Sequence, residues 1–245
     1  MIRALAAAEG NTRTAAGETE RSNGGKTMIK IIRDGSLDGD PRHVGVLEVR
    51  YPDQSRWDIE GFRAYRDAAL AKVREDGADY DRETVFRGTP YFRYFRKFGQ
   101  TYPVMKQLES YLKGRPFPEE QYINSVAFLT ELKTHALIGT HDADRVEGDI
   151  VFYNEDEKRY FPGMGKSEAH SYPGDVTGRD DKDIIISMVT GADNRTCLRD
   201  DSAHAIYLVF GHPEMSDEVI EEIAAQIKEA ALTLAPDAET EFAII

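Results

Sequence analysis

Gly139-Thr140-His141-Asp142-Ala143-Asp144-Arg145-Val146-Glu147-Gly148-Asp149-Ile150, running on into Val151-Phe152-Tyr153, sets a polar stretch directly against an apolar one. The first part reads as a loop dense in His and Asp, and Ile150–Tyr153 as a buried strand. Carboxylates and an imidazole therefore stand at the rim of a sheet, where loops on a rigid scaffold carry most binding chemistry. A second polar knot, Asp193-Asn194-Arg195-Thr196-Cys197-Leu198-Arg199-Asp200-Asp201, lies between two more strand-like runs. The two knots are expected to form the walls of one cleft.

Outward from this centre the patterning is mixed. Val44–Tyr51 alternates and stops at Pro52, which reads as a strand. Ile59, Phe62, Ala69, Leu70 and Val73 recur at helical spacing, with Gly77 as the stop. Tyr91–Lys113 reads as helix in pieces, broken near Gly99 and Pro103. Ile123, Val126, Leu129 and Leu132 give a helix over Tyr122–Leu137 that ends at Gly139. Strands follow at Ile150–Tyr153, Tyr160–Phe161, Ile184–Val189 and Ala205–Phe210. Ser216 caps a last helix, with Asp217 and Glu218 in its first turn, and Phe242–Ile245 is a closing strand. Helices and strands in irregular alternation predict an α+β fold, a mixed or antiparallel sheet flanked by helices.

The chain has 245 residues, is 40% hydrophobic and carries one cysteine, Cys197. That length buries a real core, and a lone thiol fits a reducing cytoplasm. No apolar run approaches the roughly 20 residues a membrane helix needs, so no membrane contact is expected. Residues 1–27 read as a disordered tail, with Met28 opening the ordered protein and standing as its expected natural start. Residues 28–90 form the N-terminal part of the domain and 91–245 its core, with the C-terminal helix and strand.

The net charge of −13 argues against broad attraction to nucleic acid. Arg87–Arg115 is an exception, with seven Lys or Arg against the single acid Glu109, interleaved with seven aromatic residues. Cations for phosphates beside rings for bases suit a single-stranded RNA end, and Arg93, Arg96 and Lys97 are the expected contacts. The same composition describes a helix with buried rings and a solvated basic face.

Several of these segments, in this order, resemble the B3/B4 domain, the tRNA-binding and editing module of the phenylalanyl-tRNA synthetase beta subunit, which also occurs as small free-standing proteins. The residues that carry the likeness are Tyr91–Gly99, Ile123-Asn124-x-Val126, Gly139-x-x-Asp142-x-Asp144-x-Val146-x-Gly148-Asp149-Ile150, Phe161-Pro-Gly163, Pro173-Gly174-Asp175 and Arg195-Thr196. The likeness covers roughly 90–211 well and 28–90 weakly. The synthetase pattern has a histidine where this chain has Gly139, a glycine that the free-standing relatives share. Glu131 stands where an asparagine is common. Nothing resembles the synthetase's catalytic core, its B5 module or its anticodon-binding domain.

The resemblance implies trans-editing, the hydrolysis of a mischarged aminoacyl ester at the 3′ end of a tRNA, in the cytoplasm and without cofactor or metal. Ester hydrolysis needs only a positioned water, a group to activate it and donors for the developing oxyanion. Glu131, His135, His141 and Asp142 are the candidates for activating water or holding the amino group. Backbone N–H groups of Gly163-Met164-Gly165 or Gly191 could face the oxyanion, while Asn124, Gly139, Gly163, Arg195 and Thr196 are the candidate substrate contacts. Each has a plainer role: Asp142 and Asp144 as turn caps, His135 as packing, Arg195 as the partner of Asp193 or Asp200. His141-Asp142 as a metal pair is a rival reading, and a non-catalytic module that binds tRNA or an amino acid is the alternative function.

Overall fold

A computed structural model describes residues 28–118, 121–165 and 168–245. The expected tail, residues 1–27, lies outside the described residues. The strands are β1 (Ile31–Arg33), β2 (Val44–Arg50), β3 (Leu137–Asp142), β4 (Ile150–Asn154), β5 (Tyr160–Phe161), β6 (Ala169–His170), β7 (Val176–Arg179), β8 (Ile184–Ser187), β9 (Gly191–Ala192), β10 (His204–Phe210) and β11 (Glu239–Ile244). The helices are α1 (Ile59–Asp76), α2 (Arg82–Val85), α3 (Pro90–Lys97), α4 (Pro103–Leu112), α5 (Tyr122–Thr134) and α6 (Asp217–Leu234). Among the described residues no helix is long and apolar enough to cross a membrane.

Two sheets organise the chain. One runs β1-β4-β7-β8-β9, with β1 parallel to β4 and the rest antiparallel; the other runs β11-β2-β10-β3, antiparallel throughout. The fold is therefore α+β, with a mixed and an antiparallel sheet. The period-two alternation of β10 decides the layering. Ala205, Tyr207 and Val209 pack with Leu47 and Val49 against α1, α5 and α6. On the opposite face Ile206, Leu208 and Phe210 join Ile150, Phe152 and Ile186 of the mixed sheet. The antiparallel sheet is thus the middle layer, buried on both faces, which explains why His204–Phe210 reads as a continuous apolar run.

Local sequence accounts for most element ends. Asp58 caps α1 by accepting from the Gly61 N–H at 2.8 Å, and Gly77 follows its last turn. Thr89 caps α3, and Pro90 and Pro103 occupy the first turns of α3 and α4, where the missing N–H is unneeded. Ser216 takes the N-cap position of α6 without a capping side-chain hydrogen bond, contrary to expectation. A larger difference concerns Gly139. It does not end a helix: α5 stops at Thr134, His135 turns the chain in the left-handed region (φ 58), and Leu137–Asp142 is strand β3. The stretch expected as a loop is an edge strand followed by a short turn.

Candidate functional site

β3 pairs with β10 along one edge and, among the described residues, with no other strand. Its free edge bounds a cavity of about 600 Å³, closed by α5, the starts of α4 and the β8–β9 turn, and the end of α3. From α5 come Asn124, Phe128 and Glu131, spaced four and three residues apart and so on one helix face. Leu137, Gly139, Ile186, Met188 and Phe210 make an apolar floor. Gln107, Thr140 and Thr190 supply polar groups, and φ 100 at Gly191 lets the chain turn sharply at the rim.

Glu131 is the carboxyl group among the residues lining this cavity. It is 7% exposed, and one carboxyl oxygen accepts the Ile138 N–H of the free β3 edge at 3.0 Å. Burial raises its pKa to about 8; the bonds from Ile138 and the Gln107 side chain oppose the rise without cancelling it. Glu131 is therefore protonated at neutral pH. Gln107 Oε1 is buried and has no partner among the described residues, leaving an acceptor beside an acid that carries a proton.

The free edge also supplies donors. Ile138 directs its N–H to Glu131, and Asp142 directs its own to the Thr196 carbonyl at 2.7 Å. Strand periodicity places the Thr140 N–H, midway between them, on the same edge, and Thr140 lines the cavity. Neither Gln107 nor Thr140 stands out in the sequence. Thr140 occupies an unspecified position of the motif, and Gln107 sits in a helix whose reading rests on its charge.

The expected cleft between the two polar knots is filled. The knots do converge: His141 Nδ1 lies 2.7 Å from Thr196 Oγ1, and the Thr196 hydroxyl bonds to Asp193. However, His141, Asp142, Asp193 and Thr196 are all buried against one another. Because Asp193 takes the hydroxyl proton, His141 donates from Nδ1 and its Nε2 is a bare acceptor without a partner among the described residues. Burial lowers the His141 pKa to about 4, with the Arg195 charge adding and Asp180 opposing, so the ring is neutral. None of His141, Asp142, Arg195 and Thr196 lines the cavity.

Asp142 is a turn cap. One oxygen accepts the Asp144 N–H, and the other takes the Arg145 guanidinium at 2.9 Å and the Ser202 hydroxyl at 2.6 Å. Arg195 pairs chiefly with Asp180, its Nη2 reaching both carboxylate oxygens at 2.8 and 2.7 Å, and its Nε lies 4.0 Å from Asp193, one of the two expected partners. His135 packs its ring on Phe86 at 5.0 Å and lines a different cavity, beside Tyr65 and Leu132, where burial lowers its pKa. Gly163 bridges to Asp193, and the neighbouring Met164 N–H is bonded to the Ala192 carbonyl. Of the expected site residues the cavity brings together Asn124, Glu131 and Gly139, and Met164 and Gly191 of the two glycine-bearing turns also line it.

On the basic segment, Tyr91, Phe95, Tyr102 and Tyr111 are buried, so those rings belong to the core. Arg93 is held by the Gly88 carbonyl and Glu214. Arg96 and Lys97 have no carboxylate partner among the described residues and lie over the Phe92 and Phe98 rings, at 6.0 and 5.3 Å.

No family model matches the chain, and no curated protein matches it. Among solved structures, an N-terminal fragment of the phenylalanyl-tRNA synthetase beta-subunit from Pyrococcus horikoshii aligns with a TM-score of 0.46 and 11% identity, over 88% of this chain and 51% of that one. The chain spans about half the length of that fragment. A likeness at that level assigns neither an activity nor a partner to this chain.

Proposed function

We propose that the cavity beside β3 receives the aminoacylated 3′ end of a tRNA and hydrolyses its ester. The observation that carries the reading is Glu131: a buried carboxyl with a pKa of about 8, in a cavity with room for an amino acid and part of a ribose. In its ionised form Glu131 takes a proton from a water attacking the ester carbonyl. The Thr140 N–H on the free edge donates to the oxyanion that forms, and Asn124 and Gln107 orient the amino acid. The proton then passes to the departing ribose oxygen, leaving free amino acid and tRNA. No covalent intermediate is needed.

A purified sample incubated with a panel of aminoacyl-tRNAs should release one or a few amino acids above the buffer rate, faster as pH rises through about 8. A second reading, a module that binds without hydrolysing, is favoured by His135, His141 and Asp142 all lying off the cavity. Binding with no release for any member of the panel would establish it. Under either reading Arg96→Ala and Lys97→Ala should together flatten the salt dependence of tRNA affinity, by about 0.7 to 0.9 in log–log slope for each phosphate left without its cation. Arg93→Ala should do less, because Glu214 already neutralises it. Equal slopes for all three variants and the parent would remove α3 from the interface.

A further inference from the structure

Tyr91, Phe95, Tyr102 and Tyr111 of the basic segment face inward, but Phe98 of the same segment begins a row of rings beside the cavity. Phe98, Tyr172, His170 and Tyr160 contact one another in sequence, with centroids 5.5, 4.5 and 5.8 Å apart. Lys97 lies over Phe98 at one end and Lys158 over Tyr160 at the other, at 5.3 and 4.7 Å. Neither lysine has a carboxylate partner among the described residues. Arg159 next to them does, being held by Glu155, Asp156 and Glu157.

Two hydrogen bonds tie this row to the cavity. Gln100, which lines the cavity, donates to the Tyr172 hydroxyl at 2.9 Å, and Thr190, which also lines it, donates to the His170 carbonyl at 2.6 Å. At the open end Tyr160 is 56% exposed, and Met164 on the cavity rim is 57% exposed. Large exposed apolar groups beside a cavity mouth mark a contact surface. A row of rings with an unpaired ammonium group at each end suits a strand of unpaired nucleotides, because bases stack on the rings while phosphates meet the cations. A folded protein partner would have to place a carboxylate against each lysine, whereas a polynucleotide brings a phosphate at every step.

We propose that the row Phe98-Tyr172-His170-Tyr160, with Lys97 and Lys158 at its ends, is a stacking strip for a single-stranded polynucleotide leading to the cavity mouth. This rests on the proposed function only in naming the strand as the 3′ end of a tRNA. With two phosphates neutralised the binding is weakly salt-dependent, a log–log slope of about −1.4 for a single strand. That is how a chain of net charge −13 can hold nucleic acid at all.

The test is fluorescence anisotropy of the full chain with an end-labelled single-stranded RNA of about six nucleotides, and with a duplex of equal length. The parent should prefer the single strand. Tyr160→Ala should weaken it about tenfold, the loss of one stacked base, while Tyr160→Phe keeps the ring and the affinity. Lys158→Ala should flatten the salt slope by about 0.7. Tyr160 is exposed, so its variants fold, and thermal melting verifies this. Equal affinity for duplex and single strand, or no change in Tyr160→Ala, overturns the strip. Ring-dependent RNA binding by a protein that releases no amino acid keeps the strip and sinks the deacylase. Deacylation unaffected by Tyr160→Ala, with no ring-dependent binding, does the reverse.

Discussion

Glu131→Gln is expected to match the parent in stability at pH 4 and to exceed it by on the order of 5 kcal/mol at pH 9. The folded-state pKa, about 8, is raised above the ordinary carboxyl value of 4.5. Each unit of that gap is worth about 1.36 kcal/mol. A raised pKa means that the folded chain holds the proton more tightly than the unfolded one. The stabilisation by this group is complete below pH 4.5 and is lost as pH rises to about 8. Glutamine has the shape of the protonated acid and never ionises, so it keeps at pH 9 what the parent loses. Its carbonyl can still accept from Ile138, and its amide can serve Gln107 Oε1, which lacks a partner among the described residues. The measurement is a denaturant midpoint across pH 4 to 9. A difference that does not change with pH would mean that Glu131 is not held neutral.

The same substitution separates the two functional readings. A deacylase loses its base, with release falling about 10²- to 10⁴-fold and no longer rising with pH. A binding module keeps its affinity and gains stability. Under the deacylase reading, function and stability thus move in opposite directions at one residue.

The fold class is legible because the two central strands of the middle layer, β2 and β10, show in their sequence how they are buried. In β2 Val44 and Val46 share one face and Leu47 and Val49 the other, and Ala205–Phe210 of β10 is apolar throughout because helices cover one face and a second sheet the other. β3 escapes such a reading because its signals are weak: Gly139 and Asp142 are poor strand formers, His141 adds little, and pairing with β10 makes the stretch a strand. That difference moves the expected site. Read as a loop, His141 and Asp142 belong to an open turn; as strand and cap, they are sealed between layers. Glu131 and Asn124 lie within reach of sequence reading, sharing a helix face at a spacing of seven. The unpaired edge does not, since whether a strand is last in its sheet depends on pairings far along the chain.

Gly139→His restores the residue that the synthetase pattern carries and is expected to lose function rather than gain it. A Cβ on Gly139 would lie 2.6 Å from Ile186 Cδ1 and 3.0 Å from Phe210 Cε2. The Ile186 methyl ends a flexible side chain and can rotate, but Phe210 is wedged edge-on against Phe152, with centroids 6.0 Å apart. An imidazole therefore enters only by pushing both residues into the cavity they line. Overpacking of a buried strand position costs about 1 to 3 kcal/mol, and a side chain of this size belongs at the upper end. The denaturant midpoint should fall accordingly, and ligand binding in the cavity should fail. Adding Ile186→Ala should recover part of the stability, because the tighter of the two clashes disappears. A histidine variant as stable as the parent, with its cavity still binding, would show that Ile186 and Phe210 are not held where they are and that Gly139 is not needed for room. If the single variant is destabilised and the double variant is not, then the glycine is fixed by the packing of Ile186 against β3.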